Sequence, residues 1–173
     1  MPAATQARIS LAALNAMSRD EFTRHFGGVL ERSPKFAERV ASARPFRTLD
    51  ELHGAFVGEI ERAPENDQLG LLRAHPDLAD RLARLTASST REQTSAGLDA
   101  LSPEQLGEFQ RLNVAYRKRF GFPFIICARL HSKNAIIAAF QNRMENSRDA
   151  EFKTALDEVA KIARLRLQDL IDV

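Results

Sequence analysis

Ser102-Pro103-Glu104-Gln105-Leu106-Gly107-Glu108-Phe109-Gln110-Arg111-Leu112-Asn113-Val114-Ala115-Tyr116-Arg117-Lys118-Arg119-Phe120-Gly121 reads as one complete helix, with its start, its apolar face and its end all written in the residues. Ser102 followed three residues later by Gln105 is a capping box, in which each side chain satisfies the other's orphan backbone amide. Pro103 stands at the first helical position, where its missing N–H costs nothing. Leu106, Phe109, Leu112, Tyr116 and Phe120 then recur at the spacing of a core-facing stripe. Gly121 is the residue type that tolerates the left-handed turn at a helix end.

The same grammar runs outward in both directions. Ser18-Arg19-Asp20-Glu21 is a capping box whose helix stops at Gly27-Gly28, glycine again supplying the left-handed end. Ser33-Pro34 opens a helix that ends before Pro45. Thr48-Leu49-Asp50-Glu51 is also a capping box and starts another, with Leu49, Leu52, Phe56 and Ile60 as its stripe. Pro64 breaks it and begins a helix through Leu69, Leu71 and Leu72, and Pro76 suits the first turn of a short helix from Pro76 to Leu85. After a polar stretch, Thr86 to Thr90, the run Ser89-Thr90-Arg91-Glu92 reads as a further capping box. Downstream, Phe122 to Cys127 is dense, apolar and contains Pro123; it reads as buried extended chain, since no other stretch offers it a partner strand. Ser132 to Met144 and Ser147 to Ile171 are helical, the second carrying Phe152, Leu156, Val159, Ile162 and Leu170. Strand patterns and internal repeats are otherwise missing. The expected architecture is all-α: a compact single-domain bundle of about eight helices over residues 1–173.

Composition narrows the function classes. Apolar residues make up 44% and charged residues 28%, the balance of a globular chain. The net charge of +2, from 25 basic and 23 acidic residues scattered along the chain, argues against a nucleic-acid partner. Cys127 is the only cysteine, which excludes a disulfide within the chain and any multi-cysteine metal site. No apolar run approaches the ~20 residues of a membrane span. Met1 to Arg8 lack a basic segment leading into an apolar one, and Leu170 to Val173 do not form a peroxisomal Ser-Lys-Leu tail, so a reducing cytoplasmic setting is expected.

No Gly-rich phosphate loop, HExxH zinc pair or nucleophile elbow is present. The four histidines, His25, His53, His75 and His131, are dispersed, and no metal site is expected from them. His75 has two readings. It is a polar residue bonded to backbone at a helix boundary, or a general acid/base just before a helix N-terminus, whose field favours neutral imidazole and attracts an anion. Glu92 is either the reciprocating acid of the Ser89 cap or a carboxylate that orients an imidazole or a substrate N–H. Arg143 is either solvated near a helix end or pairs with a carboxylate or urea-like carbonyl. The Phe122–Cys127 segment is a core linker, or buried backbone whose polar groups meet a ligand. Cys127 lacks a nearby cationic cluster and reads as a small buried hydrophobe, while His25, His53 and His131 read as surface or structural residues.

Several stretches, in order, resemble one family: Gly27-Gly28-Val29-Leu30-Glu31-Arg32-Ser33-Pro34, Ala43-Arg44-Pro45-Phe46, His75-Pro76-Asp77-Leu78-Ala79, Ser89-Thr90-Arg91-Glu92-Gln93, Phe120-Gly121-Phe122-Pro123-Phe124-Ile125-Ile126-Cys127, Asn142-Arg143 and Glu158-Val159-Ala160-Lys161-Ile162-Ala163. The set is similar to 2-oxo-4-hydroxy-4-carboxy-5-ureidoimidazoline (OHCU) decarboxylases and spans nearly the whole chain. The resemblance implies an all-α bundle, a homodimer, a small-molecule substrate, and no metal or organic cofactor. It also implies that His75 is the catalytic histidine and Glu92 its acidic partner. Ser89, Gln93 and Arg143 match substrate-binding side chains, Phe124, Ile125 and Ile126 the ligand-contacting backbone, and Pro76 a pocket wall. Two departures bear on the pocket rim and the interface: Asp80-Arg81 stands where the family commonly has Gly-Lys, and Lys35 where it often has an aromatic. The rival reading is a non-catalytic helical module that binds a ureide or a partner protein; a helical repressor would need a basic recognition helix, and none stands out.

Overall fold

The cap at Ser102 forms as its spacing predicts. The Ser102 hydroxyl accepts from the Gln105 amide and Gln105 Oε1 accepts from the Ser102 amide, each at 3.1 Å. In this computed structural model, which describes residues 7–79 and 86–173, nine α-helices are present among the described residues. They are α1 (Leu11–Ala16), α2 (Arg19–Phe26), α3 (Pro34–Ala41), α4 (Leu49–Arg62), α5 (Glu65–Arg73), α6 (Ala87–Ser95), α7 (Pro103–Phe120), α8 (Lys133–Arg143) and α9 (Arg148–Leu170). Short 3₁₀ turns cover Leu98–Ala100 and Ala128–Leu130. The all-α expectation holds. One refinement is a parallel pairing of two two-residue strands, β1 (Ile9–Ser10) with β2 (Ile171–Asp172), which no alternating pattern announces.

The chain divides into two compact units. The first comprises residues up to 74 together with 160–173. Within it α3 packs on both α2 and α4, and Phe22, Phe26, Phe36, Leu52 and Phe56 are fully buried. All four stripe residues of α4, Leu49, Leu52, Phe56 and Ile60, are buried as their spacing requires. A buried ion pair closes this core: Arg166 donates to Glu31 at 2.7 Å and to the carbonyl of Gly28 at 3.2 Å. His53 meets the Ala160 carbonyl at 2.8 Å, which fits its structural reading. His25 is half-buried against the Phe26 ring, and burial lowers its pKa.

The second unit is residues 75–159. Its centre is an aromatic cluster built on the α7 stripe. Tyr116 meets Phe120, Phe122, Phe124 and Phe140 with ring centroids 4.6–6.0 Å apart, and Phe124 stacks on Phe140 at 3.8 Å. Fully burying each such ring contributes roughly 1.5–3 kcal/mol. Residues 123–127 are neither helix nor strand, and Phe122 through Cys127 are buried throughout, as expected for a segment with no partner strand.

Four local expectations are corrected. The helix read from Pro76 does not start there: Pro76 and Asp77 are irregular, Leu78 and Ala79 form a turn, and Ala79 has φ +59. That left-handed residue breaks any helical run, so His75 lies two residues beyond the end of α5 rather than just before a helix N-terminus. Residues 80–85 of the expected helix, with the Asp80-Arg81 departure, lie outside the described residues. The helix read from Ser89 starts earlier: Thr86 is its cap, accepting from the Ser89 amide at 3.1 Å, which places Ser89 and Glu92 inside α6. The buried face of α9 is the expected one only in part, at Val159 and Ile162. Phe152, Leu156 and Leu170 are only half-buried, while Glu151, Ala155, Glu158, Val159, Ala163 and Leu167 are buried.

The fourth correction concerns Gly27, whose φ of −61 is right-handed. A Cβ added there would stand 2.5 Å from the Thr23 carbonyl oxygen, so glycine is required by close approach and not by φ. At Gly28 a Cβ would meet nothing within 4 Å. In urea denaturation Gly27→Ala is expected to lose about 1–3 kcal/mol of stability. Gly28→Ala should stay within about 0.5 kcal/mol of the parent. Equal effects at the two positions would contradict the steric account.

Candidate active site

All the residues singled out in the sequence, His75, Pro76, Ser89, Glu92, Gln93, Phe124, Ile125, Ile126 and Arg143, fall within the one unit of residues 75–159. They come from a turn, from α6, from the irregular segment and from the end of α8.

His75 is 6% exposed, as far inside as the apolar residues around it. Its turn is held from two sides. The Leu78 carbonyl accepts from Asn113 Nδ2 of α7 at 2.8 Å, and the Ala79 amide donates to Gln93 Oε1 of α6 at 2.8 Å. These bonds fix a short loop with no internal ladder, in the way a loop with buried backbone must be fixed. Asp77 is tied to Arg117 at 2.7 Å on the outer side. Asn113 is nine-tenths buried and its Oδ1 accepts no hydrogen bond.

On α6, Ser89, Glu92 and Gln93 have i, i+3, i+4 spacing and so share a face. Ser89 and Gln93 are buried and Glu92 is half-buried. The Ser89 hydroxyl lies 2.9 Å from that of Thr86. The cap reading of Glu92 falls away, because Thr86 supplies the cap and position 92 is mid-helix. Gln93 binds the His75 turn through its carbonyl oxygen. α6 also packs on the Ala128–Leu130 turn, the direct continuation of the irregular segment.

Arg143 sits at the end of α8 with its side chain 11% exposed. Nη1 donates to the Ile125 carbonyl at 2.7 Å, Nε donates to Glu151 Oε1 at 2.6 Å, and the guanidinium lies 4.3 Å from the centre of the Phe124 ring. Nη2 also lies 2.6 Å from Glu151 Oε1, but makes no directed hydrogen bond there. That approach is a charge contact, and N–H groups on Nη2 remain for another acceptor. Arg143 is therefore not a solvated helix-end residue; it binds the irregular segment by its backbone and by its ring.

Glu151 is 0% exposed and gathers the group. It accepts from Tyr116 at 2.5 Å, from Arg143, and from Asn146 at 2.9 Å. About two turns further along α9, Glu158 Oε2 accepts from the Cys127 amide at 2.8 Å. Cys127 itself is buried, as its reading as a small hydrophobe requires. Asn113, Tyr116, Glu151 and Glu158 are the residues that sequence reasoning passed over in their polar roles. Their signal was there as polar side chains at core-facing positions of α7 and α9, but polar atoms on an apolar face do not name their partners. Among the described residues no group of three or more His, Cys, Asp or Glu side chains is placed to hold a metal ion, and no helix is long and apolar enough to cross a membrane.

The unit thus combines a buried imidazole, a polar helix face and an irregular buried segment held by a guanidinium. Comparison with known proteins gives its kind. Residues 15–168 match the OHCU decarboxylase family, and the chain belongs to that family. It is 47% identical over 161 residues to the OHCU decarboxylase of Haloferax volcanii, covering 93% of this chain and 95% of that one. It is 41% identical over 166 residues to the OHCU decarboxylase of Mus musculus, covering 94% and 93%. Among solved structures it resembles an OHCU decarboxylase crystallised in the presence of (S)-allantoin, with a TM-score of 0.69, 29% identity and coverage of 87% and 96%. An (S)-allantoin synthase structure has a TM-score of 0.77 at 29% identity; the match takes in 95% of this chain but 55% of that longer one.

The sequence holds one tyrosine and no tryptophan, so the phenolate absorbance reads Tyr116 alone. Burial, and next the hydrogen bond to the Glu151 carboxylate, push its pKa far above the ordinary 10.0, Arg143 opposing only weakly. A raised tyrosine pKa means that the group's contribution to stability is complete below the unfolded value of about 10 and is lost as the pH climbs past it. In an alkaline titration the phenolate band should therefore rise together with the loss of helical circular dichroism. A phenolate titrating near pH 10 in a folded protein would contradict the buried Tyr116–Glu151 pair.

Proposed function

We propose that this protein decarboxylates OHCU to (S)-allantoin and carbon dioxide. The observation that carries the reading is the family match, which takes in residues 15–168 and aligns 93% of this chain with 95% of the Haloferax volcanii relative. It is supported by the gathering of the expected site residues in one unit.

The substrate bears a carboxylate and a hydroxyl on one ring carbon, next to a ring imine. On loss of carbon dioxide the bonding pair forms a ring C=C bond, and the imine pair moves onto the ring nitrogen, which takes up a proton. The resulting enol loses its hydroxyl proton and gains one on the neighbouring carbon that carries the ureido group. The imine is the electron sink, so no metal or organic cofactor is called for. His75 takes the hydroxyl proton as general base and returns a proton as acid, a task that typically contributes ~10²–10⁴-fold. Glu92 orients the imidazole or a ring N–H. Gln93 through Nε2, Ser89 through its hydroxyl and Arg143 through its remaining N–H groups bind the ureido and carboxylate groups, which limits unproductive rotation. Pro76 and the Phe124, Ile125 and Ile126 backbone form the wall of the pocket. Asn113 Oδ1, buried beside the His75 turn, is a further acceptor for a substrate N–H.

The same reading takes residues 1–173 as one functional domain, acting as a cytoplasmic homodimer on a small molecule, with no nucleic-acid or membrane partner. The family match across residues 15–168 supports the single functional domain.

The test generates OHCU freshly from urate with urate oxidase and hydroxyisourate hydrolase, and follows allantoin by circular dichroism. Accelerated formation of a single enantiomer is expected. His75→Ala should lose activity by ~10²-fold or more with unchanged far-ultraviolet circular dichroism. Near-normal turnover in that variant would remove the assigned role of His75, and a slow racemic product with the parent protein would favour a ureide-binding module instead.

A further inference from the structure

The irregular segment poses a structural problem that α9 solves. Residues 123–127 have no ladder of their own, so nothing local sets the direction of their peptide groups. Buried N–H and C=O groups must nevertheless be paired. Two carboxylates on α9 take up the task at two points. Glu158 accepts directly from the Cys127 amide at 2.8 Å. Glu151 acts through Arg143, which donates to the Ile125 carbonyl at 2.7 Å while its Nε is held by Glu151 at 2.6 Å.

The spacing matches. Residues seven apart on a helix return to nearly the same face, about 10.5 Å further along the axis. Ile125 and Cys127 are two residues apart, roughly 7 Å along extended chain. The guanidinium of Arg143 spans the remainder and stacks on the Phe124 ring at 4.3 Å. Tyr116 and Asn146 also donate to Glu151, one to each carboxylate oxygen, which holds the carboxylate in place. Ile126 stands between the two anchored points.

We propose that Glu151 and Glu158 are positioning residues that together set the geometry of the ligand-facing backbone from Phe124 to Cys127, Glu151 by way of Arg143. The link to turnover rests on the decarboxylase reading. The backbone geometry does not, and the experiment separates the two.

Amide hydrogen exchange at Cys127 is measured by NMR beside kcat, KM, enantiomeric purity of the product and thermal midpoint, all on the full chain. Glu158→Leu removes the acceptor. The Cys127 amide is expected to exchange at least tenfold faster, and kcat to fall about 10- to 100-fold, with a smaller change in KM. Glu158→Gln keeps an acceptor oxygen and should recover most of both losses. Should Glu158→Leu fail to fold, Glu158→Asp serves: it keeps the charge but withdraws it by one methylene, and is expected to behave like the leucine variant. Glu151→Gln leaves Arg143 without its counter-charge and should lower kcat more than Tyr116→Phe, which removes a single donor. Wild-type kcat in folded Glu158→Leu or Glu158→Asp, or unchanged Cys127 exchange, overturns the inference. Losses in thermal midpoint alone, with kcat per folded molecule intact, also overturn it. An inactive parent protein overturns the decarboxylase reading instead, and the Cys127 exchange series then decides this inference by itself.

Discussion

The fully buried carboxylate of Glu151 is the contact on which the second unit depends. An isolated buried carboxylate is too costly to persist; it survives where donors surround it. Here the donors come from Tyr116 on α7, Arg143 at the end of α8 and Asn146 just beyond it, so one acid fastens three parts of the chain to the start of α9. Removing one partner of such a group leaves an uncompensated buried charge, a loss of about 3–5 kcal/mol. The aromatic cluster around Tyr116 depends on the same point, because the phenol that anchors it can be buried only with its hydroxyl paired.

From this anchor the order of the site follows. Arg143, held by Glu151, in turn holds the Ile125 carbonyl and covers Phe124, and Glu158 fixes the next amide but one. On the other side, Gln93 and Asn113 fix the turn that carries His75. Neither the turn nor the segment has secondary structure to stiffen it. Both are held in place because side chains of regular helices grip their backbone groups, the way irregular buried chain is given one geometry.

Much of the fold was legible one helix at a time. The Ser18 and Ser102 boxes, the Gly121 stop and the α4 stripe all formed as their spacing implied, because each depends only on residues within one or two turns, while of the Thr48 box only the Thr48 half formed, Glu51 accepting from the Arg47 amide instead. Errors arose where a local signal had a competitor. Ser89-Thr90-Arg91-Glu92 had the composition of a cap, yet Thr86, three residues earlier, caps the helix instead. Pro76 could have opened a helix, yet bonds from Asn113 and Gln93 to the Leu78 and Ala79 backbone hold a turn there. On α9 Val159 and Ile162 of the expected face are buried, but the larger Phe152, Leu156 and Leu170 are only half-buried and the acids at 151 and 158 lie inside.

The sequence by itself determined the helical class, most helix limits and the family, since caps, stripes and family motifs are properties of short stretches. Only the tertiary structure decided what those residues do to one another. That Arg143 would be drawn to Glu151 and Ile125 rather than to solvent, and that Gln93 would commit its oxygen to the His75 turn, depend on contacts between positions 8 to 18 residues apart. The reason is physical: a buried polar group takes whichever partner packing delivers to it, and packing is settled by the whole unit at once, not by the neighbours in the chain.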